Sequence, residues 1–210
     1  MKAIVVHGLG RTPLSQLFLA RRLRARGFHV ELFGYSATFE SFSSCVDRLV
    51  RWVHVMAGDE PFILVGHSLG SVLIRSALPR MAPLSPQACF FLAPPSRVTR
   101  AARFFGQSRL FRVLAGEMGR LLADDAFMES LPVPTVPVRV YAGTGGFTGR
   151  WSPFGPEAND GVLSVSETTL GPDQPVVSIP AVHTFIMNAR LVADDIAETV
   201  ASLHRSGTTA

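Results

Sequence analysis

Three side chains in this sequence have the types needed for nucleophilic attack on a carbonyl carbon: Ser68, Asp160 and His183. A serine hydroxyl is a weak nucleophile at neutral pH, so it needs a base to take its proton and a third group to orient that base. Each of the three residues follows a predicted strand, and the carboxyl ends of parallel strands meet at one edge of a sheet. We therefore expect Ser68 as nucleophile, His183 as base and Asp160 as the orienting acid.

The sequence around Ser68 predicts a sharp turn between a strand and a helix. The apolar run 62–65 is typical of a buried strand, and residues 71–78 are typical of an apolar helix. Between them, Gly66 and Gly70 flank the serine and leave room for the strand and the helix to approach each other. The alternative is a glycine-rich turn whose serine only caps the helix. The strand before the motif and the helix after it favour a turn that exposes the serine hydroxyl.

His183 is preferred as the base among the six histidines because it follows a predicted strand closely. The other histidines suit this role less well: His29 in a predicted strand, His54 in a predicted helix, His204 at the start of the tail, and His7 and His67 in positions that suit backbone shaping. The alternative for His183 itself is a loop histidine without a chemical role.

Asp160 is preferred as the acid because it lies beside Gly161, just past a loop that follows a predicted strand. From there, a carboxylate can point inward at an imidazole. The alternative is a residue that only shapes a turn, since Asn-Asp-Gly is a strong turn signal. The other carboxylates considered suit the role of acid less well: Glu157, Glu167, Asp124 and Asp125.

The tetrahedral intermediate of acyl transfer carries a negative oxygen, which needs fixed hydrogen-bond donors. The backbone N–H of Leu69, at the start of the predicted helix, is one candidate donor, and that of Leu9 is the other. Leu9 lies in a loop whose glycines let the main chain approach a ligand. A phosphate-binding turn is the alternative there, but the loop lacks the glycine spacing and the lysine of such turns. Backbone-shaping roles are assigned to His7, Gly8, Gly10, Gly66, His67 and Gly70.

Predicted strands and helices alternate along the chain, which is typical of a mostly parallel sheet flanked by helices. About six strands are predicted, over residues 3–6, 28–33, 62–65, 87–92, 138–142 and 176–179. The first helix should begin at Pro13 with Thr12 as its cap. Its apolar face should consist of Leu14, Leu17, Phe18 and Leu23. Further helices are predicted over 39–56, 71–78 and 188–203, so the chain is interpreted as one α/β domain over residues 1–210.

Two segments interrupt this alternation and are candidates for shaping the site. Residues 96–128 contain amphipathic helical patterns with arginines on the polar side. They are either ordinary surface helices or a small helical lid, with contact to a lipid interface as a weaker alternative. Residues 143–160 form a long loop rich in glycine and proline, and a loop of this length in a compact domain is usually functional.

Composition restricts the classes of function. Of the 210 residues, 47% are hydrophobic, so the chain can bury the core of one domain. The net charge of +4 comes from scattered arginines, so nucleic-acid binding is not expected. Cys45 and Cys89 are expected as free buried thiols, and their spacing suggests no metal site. With no signal sequence before the first strand and no apolar run of membrane-spanning length, a cytoplasmic location is expected.

Four stretches together resemble the α/β-hydrolase superfamily: Val5-Val6-His7-Gly8-Leu9-Gly10, Val65-Gly66-His67-Ser68-Leu69-Gly70, Asn159-Asp160-Gly161-Val162 and Val182-His183. The resemblance is closest to compact bacterial lipases and esterases and to glycolipid-deacylase-like hydrolases. It implies the α/β-hydrolase fold and hydrolysis of small acyl esters through an acyl-enzyme, without cofactor or metal. Acyl transfer or thioester hydrolysis by the same residues stays open, as does a catalytically inactive binding protein of this fold. The oligomeric state is left open.

Overall fold

The computed structural model describes residues 1–100, 116–171 and 174–207. It contains one sheet of six strands in the order β2-β1-β3-β4-β5-β6, and every neighbouring pair of strands is parallel. The strands are β1 Lys2–Val6, β2 His29–Phe33, β3 Phe62–His67, β4 Cys89–Leu92, β5 Val138–Gly143 and β6 Val176–Ile179. Because all six are parallel, their carboxyl ends lie at one edge of the sheet.

Helices cover both faces of this sheet. The α-helices are α1 Leu17–Arg24, α2 Phe42–Ala57, α3 Leu69–Ala77, α4 Asp125–Ser130 and α5 Arg190–Gly207. Residues 116–121 are also helical. Short 3-10 helices span Pro13–Gln16, Leu78–Arg80, Val165–Glu167 and His183–Asn188. No helix in the described ranges is both long enough and apolar enough to cross a membrane.

Side chains of the sheet alternate between two apolar clusters, one on each face. On β1, Ile4 and Val6 pack into the cluster that includes residues of α2 and α3. Ala3 and Val5 pack into the cluster that includes residues of α1 and α5. The sheet is thus buried on both faces, as expected for parallel strands. This architecture confirms the predicted α/β fold with a six-stranded parallel sheet.

The first helix differs from the prediction in its start and in its buried face. Its first turn, Pro13–Gln16, is a 3-10 helix, and the Thr12 side chain makes no capping hydrogen bond. A 3-10 turn advances about 120° per residue and an α-helix about 100°. The residues that α1 buries are consequently Leu19, Ala20 and Leu23. The predicted face was wrong for Leu14, Leu17 and Phe18, which are exposed.

The predicted lid segment 96–128 is described only in part, since residues 101–115 lie outside the described residues. In the part that is described, Val98 and Met118 are buried in the cluster that includes α2 and α3. The sequence suggested that Asp124 lies within a helix. In the structure it instead precedes α4 and caps it, because its side chain accepts a hydrogen bond from the Phe127 N–H at 3.0 Å. Cys45 and Cys89 are free and buried, which confirms that prediction.

Candidate active site

Ser68 is the single residue between β3 and α3, and its backbone is strained. Its φ of 51° lies in the left-handed region that side chains other than glycine rarely occupy. The surrounding chain is packed too tightly for larger residues. A Cβ on Gly66 would lie 2.7 Å from the Ser71 nitrogen, and a Cβ on Gly70 would lie 2.7 Å from the carbonyl oxygen of His7. Both glycines are therefore needed for the turn that presents Ser68.

The structure brings Ser68, His183 and Asp160 together. His183 Nε2 lies 3.0 Å from Ser68 Oγ, and His183 Nδ1 lies 2.7 Å from Asp160 Oδ2. Because a carboxylate oxygen accepts, the Nδ1–H donates to Asp160 and the proton is on that nitrogen. Nε2 then has a free lone pair that accepts from the Ser68 hydroxyl. This arrangement can take a proton from the serine oxygen and stabilise the imidazolium that results.

His183 is the first residue of the 3-10 helix His183–Asn188, which follows β6. Its backbone N–H donates to the carbonyl oxygen of Asp160 at 2.9 Å, so the main chains of these two residues are joined directly. Its side chain is 12% exposed. The ring is thus mostly shielded from water.

Asp160 shapes a turn and orients the imidazole at once. Its side chain is fully buried. One oxygen, Oδ1, accepts from the backbone N–H groups of Val162 at 2.9 Å and Leu163 at 2.7 Å. The other oxygen, Oδ2, contacts His183. The two interpretations that the sequence left open for this residue are therefore compatible, because each uses a different oxygen.

The long loop 143–160 holds Asp160 through contacts that the sequence analysis missed. Three glycines of this loop leave no space for a side chain. A Cβ on Gly143 would lie 2.6 Å from the Asp160 Cβ, and a Cβ on Gly145 would lie 2.7 Å from the Ala181 carbonyl carbon. A Cβ on Gly146 would lie 2.5 Å from the Gly161 nitrogen. Asn159 Oδ1 accepts from the Gly161 N–H at 2.9 Å, and its Nδ2 donates to two loop carbonyls. The glycine pair and the Asn-Asp-Gly turn were visible signals in the sequence, but their packing partners were not.

The loop after β1 is held by the side chain of His7. Its ring stacks on Tyr35 with centroids 4.2 Å apart, and its Nδ1 lies 2.9 Å from the carbonyl oxygen of Gly8. The Tyr35 hydroxyl donates to the backbone carbonyl of His7 at 2.9 Å. Burial lowers the pKa of His7, so the ring is held in its neutral form. Tyr35 was missed because nothing in the sequence links it to residue 7.

The two proposed oxyanion donors belong to Leu69, which directly follows Ser68, and to Leu9 in the loop after β1. Leu69 is the first residue of α3, so its N–H has no acceptor in the preceding turn of that helix. Leu9 follows Gly8, and a Cβ on Gly8 would lie 3.2 Å from the Cβ of Ser68. Gly10 has a φ of 64°, which turns the chain away after this point. Within residues 1–100, 116–171 and 174–207, the Leu9 and Leu69 N–H groups donate to no other residue.

His67 ends β3, and its Nε2 lies 3.1 Å from the backbone carbonyl oxygen of His183. This contact with the main chain of His183 was not expected from the sequence, which suggested only a backbone-shaping role. Burial is the main cause that lowers the pKa of His67 well below its ordinary value, and the nearby His183 lowers it further.

The other candidate residues make contacts outside the series that joins Ser68, His183 and Asp160. His29 is exposed at the start of β2, and His204, near the end of α5, contacts Gln87 at 2.8 Å. Glu157 pairs with Arg100 at 3.3 Å. Glu167 is buried and completes a capping box with Ser164. In the described part of the chain, no group of His, Cys, Asp and Glu side chains is arranged to hold a metal ion.

Solved structures with a similar fold include hydrolases of several kinds. The mature form of lipase BlEst2 from Bacillus licheniformis has 16% identity and a TM-score of 0.75, over 94% of this chain and 91% of that chain. An extracellular α/β-hydrolase from a Paenibacillus species has 17% identity and a TM-score of 0.62, over 94% and 98%. Human thioesterase 2 has 12% identity and a TM-score of 0.61, over 96% of each chain. At these identities, the likeness shows the fold alone.

No curated protein sequence matches this chain. The sequence profile described as Alpha/beta hydrolase family matches residues 3–205, which is nearly the whole chain. The order of the strands, the strained serine between β3 and α3, and the histidine after the last strand agree with that match. The chain belongs to the alpha/beta hydrolase family.

Proposed function

We propose that this protein hydrolyses carboxylic esters through an acyl-enzyme on Ser68. The observation that carries the proposal is the continuous series of hydrogen bonds from Ser68 Oγ through the His183 ring to Asp160, at 3.0 and 2.7 Å. The series joins a hydroxyl, a base with a free lone pair and a carboxylate. These are the groups that serine-dependent acyl transfer requires.

The course of the proton follows from these contacts. As Ser68 Oγ bonds to the ester carbonyl carbon, its proton moves to His183 Nε2 and the carbonyl oxygen becomes negative. The imidazolium then gives that proton to the alcohol oxygen as the C–O bond breaks, which leaves the acyl group on Ser68. Water attacks this acyl-enzyme with His183 again as the base. The acid is released when Ser68 Oγ takes the proton back.

The backbone N–H groups of Leu69 and Leu9 are proposed to stabilise the negative oxygen of the tetrahedral intermediate. Support comes from their positions beside Ser68 and from the absence of another acceptor for either group within the described residues. Donors fixed before the reaction need no reorganisation when charge develops, so they lower the barrier efficiently. Because only the main chain takes part, replacing Leu9 by another apolar residue should be mild.

Exposed apolar side chains in the segments that follow β1 and β6 are our reason for proposing an ester with an apolar acyl group. In a parallel sheet, the chain after each strand begins at the carboxyl edge, where Ser68 lies. Six such side chains follow β1 and β6 and are exposed: Leu14, Leu17, Phe18, Val182, Phe185 and Leu191. Exposed apolar clusters commonly mark surfaces that bind ligands or lipid interfaces. An apolar acyl chain is our proposal for the substrate, and contact with a lipid interface is the weaker alternative.

Thioester hydrolysis is a second candidate, supported by the similar fold of human thioesterase 2. The hydrogen-bonded series from Ser68 to Asp160 acts on the acyl carbonyl and is indifferent to whether oxygen or sulfur leaves. Comparing acyl esters with acyl thioesters of equal chain length would separate the two activities. A series of acyl chain lengths would then test the preference for apolar acyl groups.

A fluorophosphonate probe tests the proposal, because only an activated serine reacts with it. We expect the probe to label the wild-type protein on Ser68, and Ser68→Ala to remove both the label and turnover of p-nitrophenyl esters. The loss of turnover should exceed about 10⁴-fold, since the nucleophile is absent. Ser44→Ala, at an exposed position on α2, is the matched control and should behave as wild type.

Two results would contradict the proposal. Equal turnover by the Ser68→Ala and wild-type proteins would mean that another group carries the reaction. A wild-type protein that folds normally but reacts neither with the probe nor with any ester or thioester would instead be a binding protein of this fold. Circular dichroism of both variants would exclude loss of the fold as the cause of any difference.

A further inference from the structure

His67 takes no part in the proposed proton transfers, yet its imidazole lies between two loops of the site. The residue is 2% exposed. Its Nε2 is 3.1 Å from the carbonyl oxygen of His183, and the two rings have centroids 5.1 Å apart. On its other side, a Cβ on Gly8 would lie 2.8 Å from His67 Nδ1. The ring thus fills the space between the loop after β1 and the turn after β6.

The contacts fix which nitrogen of His67 carries the proton. A carbonyl oxygen only accepts, so the Nε2–H donates to His183 and Nδ1 is left with a lone pair. Nδ1 is buried and has no hydrogen-bond partner among the described residues. Burial is the main cause that lowers the pKa of His67, and the positive charges that His183 and Arg11 can carry lower it further. The ring therefore remains neutral beside a base that becomes positive during the reaction.

With the hydrogen bond from His67, the main chain of His183 is held by hydrogen bonds at both its N–H and its carbonyl oxygen. On one side, the His183 N–H donates to the carbonyl oxygen of Asp160 at 2.9 Å. On the other, the His183 carbonyl oxygen accepts from His67 at 3.1 Å. Because His67 is bonded covalently to Ser68, this second contact links the main chain of the base to the main chain of the nucleophile.

From these contacts we infer that His67 is a positioning residue: its neutral imidazole ties the backbone of His183 to the nucleophile turn and sets the distance between His183 Nε2 and Ser68 Oγ. The inference rests on the proposed function. A displacement of about 1 Å between reacting groups can lower a rate by about 10²-fold. Loss of the tie should therefore act on kcat, while substrate binding, which uses other surfaces, changes little.

Two amide variants separate the hydrogen bond from the bulk of the side chain. The terminal nitrogen of Gln is as many bonds from Cα as His Nε2, so His67→Gln keeps a neutral donor for the His183 carbonyl. Asn is one bond shorter, so His67→Asn has the same chemistry without the reach. We expect kcat to fall by about 10- to 100-fold in His67→Asn, with KM within about threefold of wild type. His67→Gln should recover most of this loss.

The pH dependence of kcat and the thermal midpoint distinguish positioning from other roles. If His67 only positions, His67→Gln keeps the wild-type pH profile, because the lost imidazole was not titrating in the working range. A changed acidic limb would mean that His67 itself exchanges protons, which overturns the inference. Equal kcat in the Asn and Gln variants, or losses that follow the thermal midpoints of both, would also overturn it.

The same measurements separate this inference from the proposed function. A wild-type protein whose Ser68 does not react with the fluorophosphonate probe would contradict the proposed function and, with it, any role of His67 in positioning a base. A reactive wild type together with a fully reactive His67→Asn protein would contradict the inference alone.

Discussion

The nucleophile turn, residues 66–71, and the acid loop, residues 143–164, meet in one series of hydrogen bonds but are held in different ways. The nucleophile turn is short and is fixed by main-chain packing, with Gly70 against the carbonyl of His7 just after the interior strand β1. The acid loop is irregular for most of its length. It is held by main-chain hydrogen bonds, such as that from the His183 N–H to the Asp160 carbonyl, together with side-chain contacts of Asn159 and Asp160. The nucleophile turn is therefore part of the core, whereas the acid loop packs against the core.

This difference predicts which substitutions change activity and stability together and which change activity alone. A change in the nucleophile turn must move β1, β3 or α3, so it should reduce the stability of the whole domain. A change in the acid loop has room to relax along the loop, so it should displace Asp160 while the domain remains folded. Three further variants test this contrast.

The largest effect is expected for Asp160→Asn in the acid loop. The Asn oxygen can still accept from Val162 and Leu163, so the turn should be retained. Its NH2 group would then face the Nδ1–H of His183, and the ring would have to change its tautomer or orientation. We expect kcat for p-nitrophenyl esters to fall by about 10³- to 10⁴-fold, with an almost unchanged thermal midpoint.

Glu157→Gln is the matched control for this variant, since Glu157 lies in the same loop and pairs with Arg100. It should retain wild-type turnover, because a partly exposed ion pair contributes little. Turnover within about tenfold of wild type in Asp160→Asn would contradict the proposed role of the acid. Unfolding of that variant would contradict the view that the acid loop is fitted onto a core that is stable without it.

Intermediate effects are expected when one glycine of the nucleophile turn and one glycine of the acid loop are each replaced by alanine. The first replacement should mainly reduce stability, and the second should mainly reduce kcat. Gly70→Ala would push on the backbone oxygens of Val6 and His7 and should reduce the free energy of unfolding by about 3 kcal/mol. Gly146→Ala would push on Asn159 and the Gly161 amide. It should lower kcat by about 10- to 100-fold and the free energy of unfolding by only about 1 kcal/mol.

Chemical denaturation and steady-state kinetics on the same preparations measure both quantities. Gly171→Ala serves as the control for both glycines, because no atom of the described residues, apart from its neighbours in the chain, lies within 4 Å of the added methyl group. Should Gly146→Ala destabilise the domain as much as Gly70→Ala, the acid loop would belong to the core and the contrast would be lost.

The smallest effect concerns pH and the buried imidazoles beside the nucleophile turn. Burial lowers the pKa of His7 and of His67 below the ordinary value of 6.5. Well above pH 6.5, both imidazoles are neutral in the folded and unfolded states and do not change the free energy of unfolding. As the pH falls below 6.5, these imidazoles take up protons in the unfolded chain but remain neutral in the folded chain. The free energy of unfolding should then decrease by up to about 1.4 kcal/mol per pH unit for each imidazole, down to the lowered pKa.

His67→Gln removes one of these two groups and should reduce the slope of the free energy of unfolding against pH below about 6.5. Identical slopes for wild type and His67→Gln would show that protons bind to His67 equally well in both states.

Much of the fold was predictable because its signals are local. The strand over 176–179 was predicted to the residue, and those over 3–6 and 28–33 within one residue at one end. Buried parallel strands are short apolar runs, and helices between them have a different period. The face of α1 was not predictable in this way, since the 3-10 turn Pro13–Gln16 shifts the helical phase and only contact with the sheet reveals it.

The candidate site divides along the same line. By itself, the sequence determined the type and order of Ser68, Asp160 and His183 and the strained turn at the serine, because these depend on neighbouring residues. Only the tertiary structure decided how Asp160 divides its two oxygens, that Tyr35 supports His7, and that His67 reaches the His183 carbonyl. These contacts join loops that lie far apart in the chain, and the packing of the sheet alone determines which loops meet.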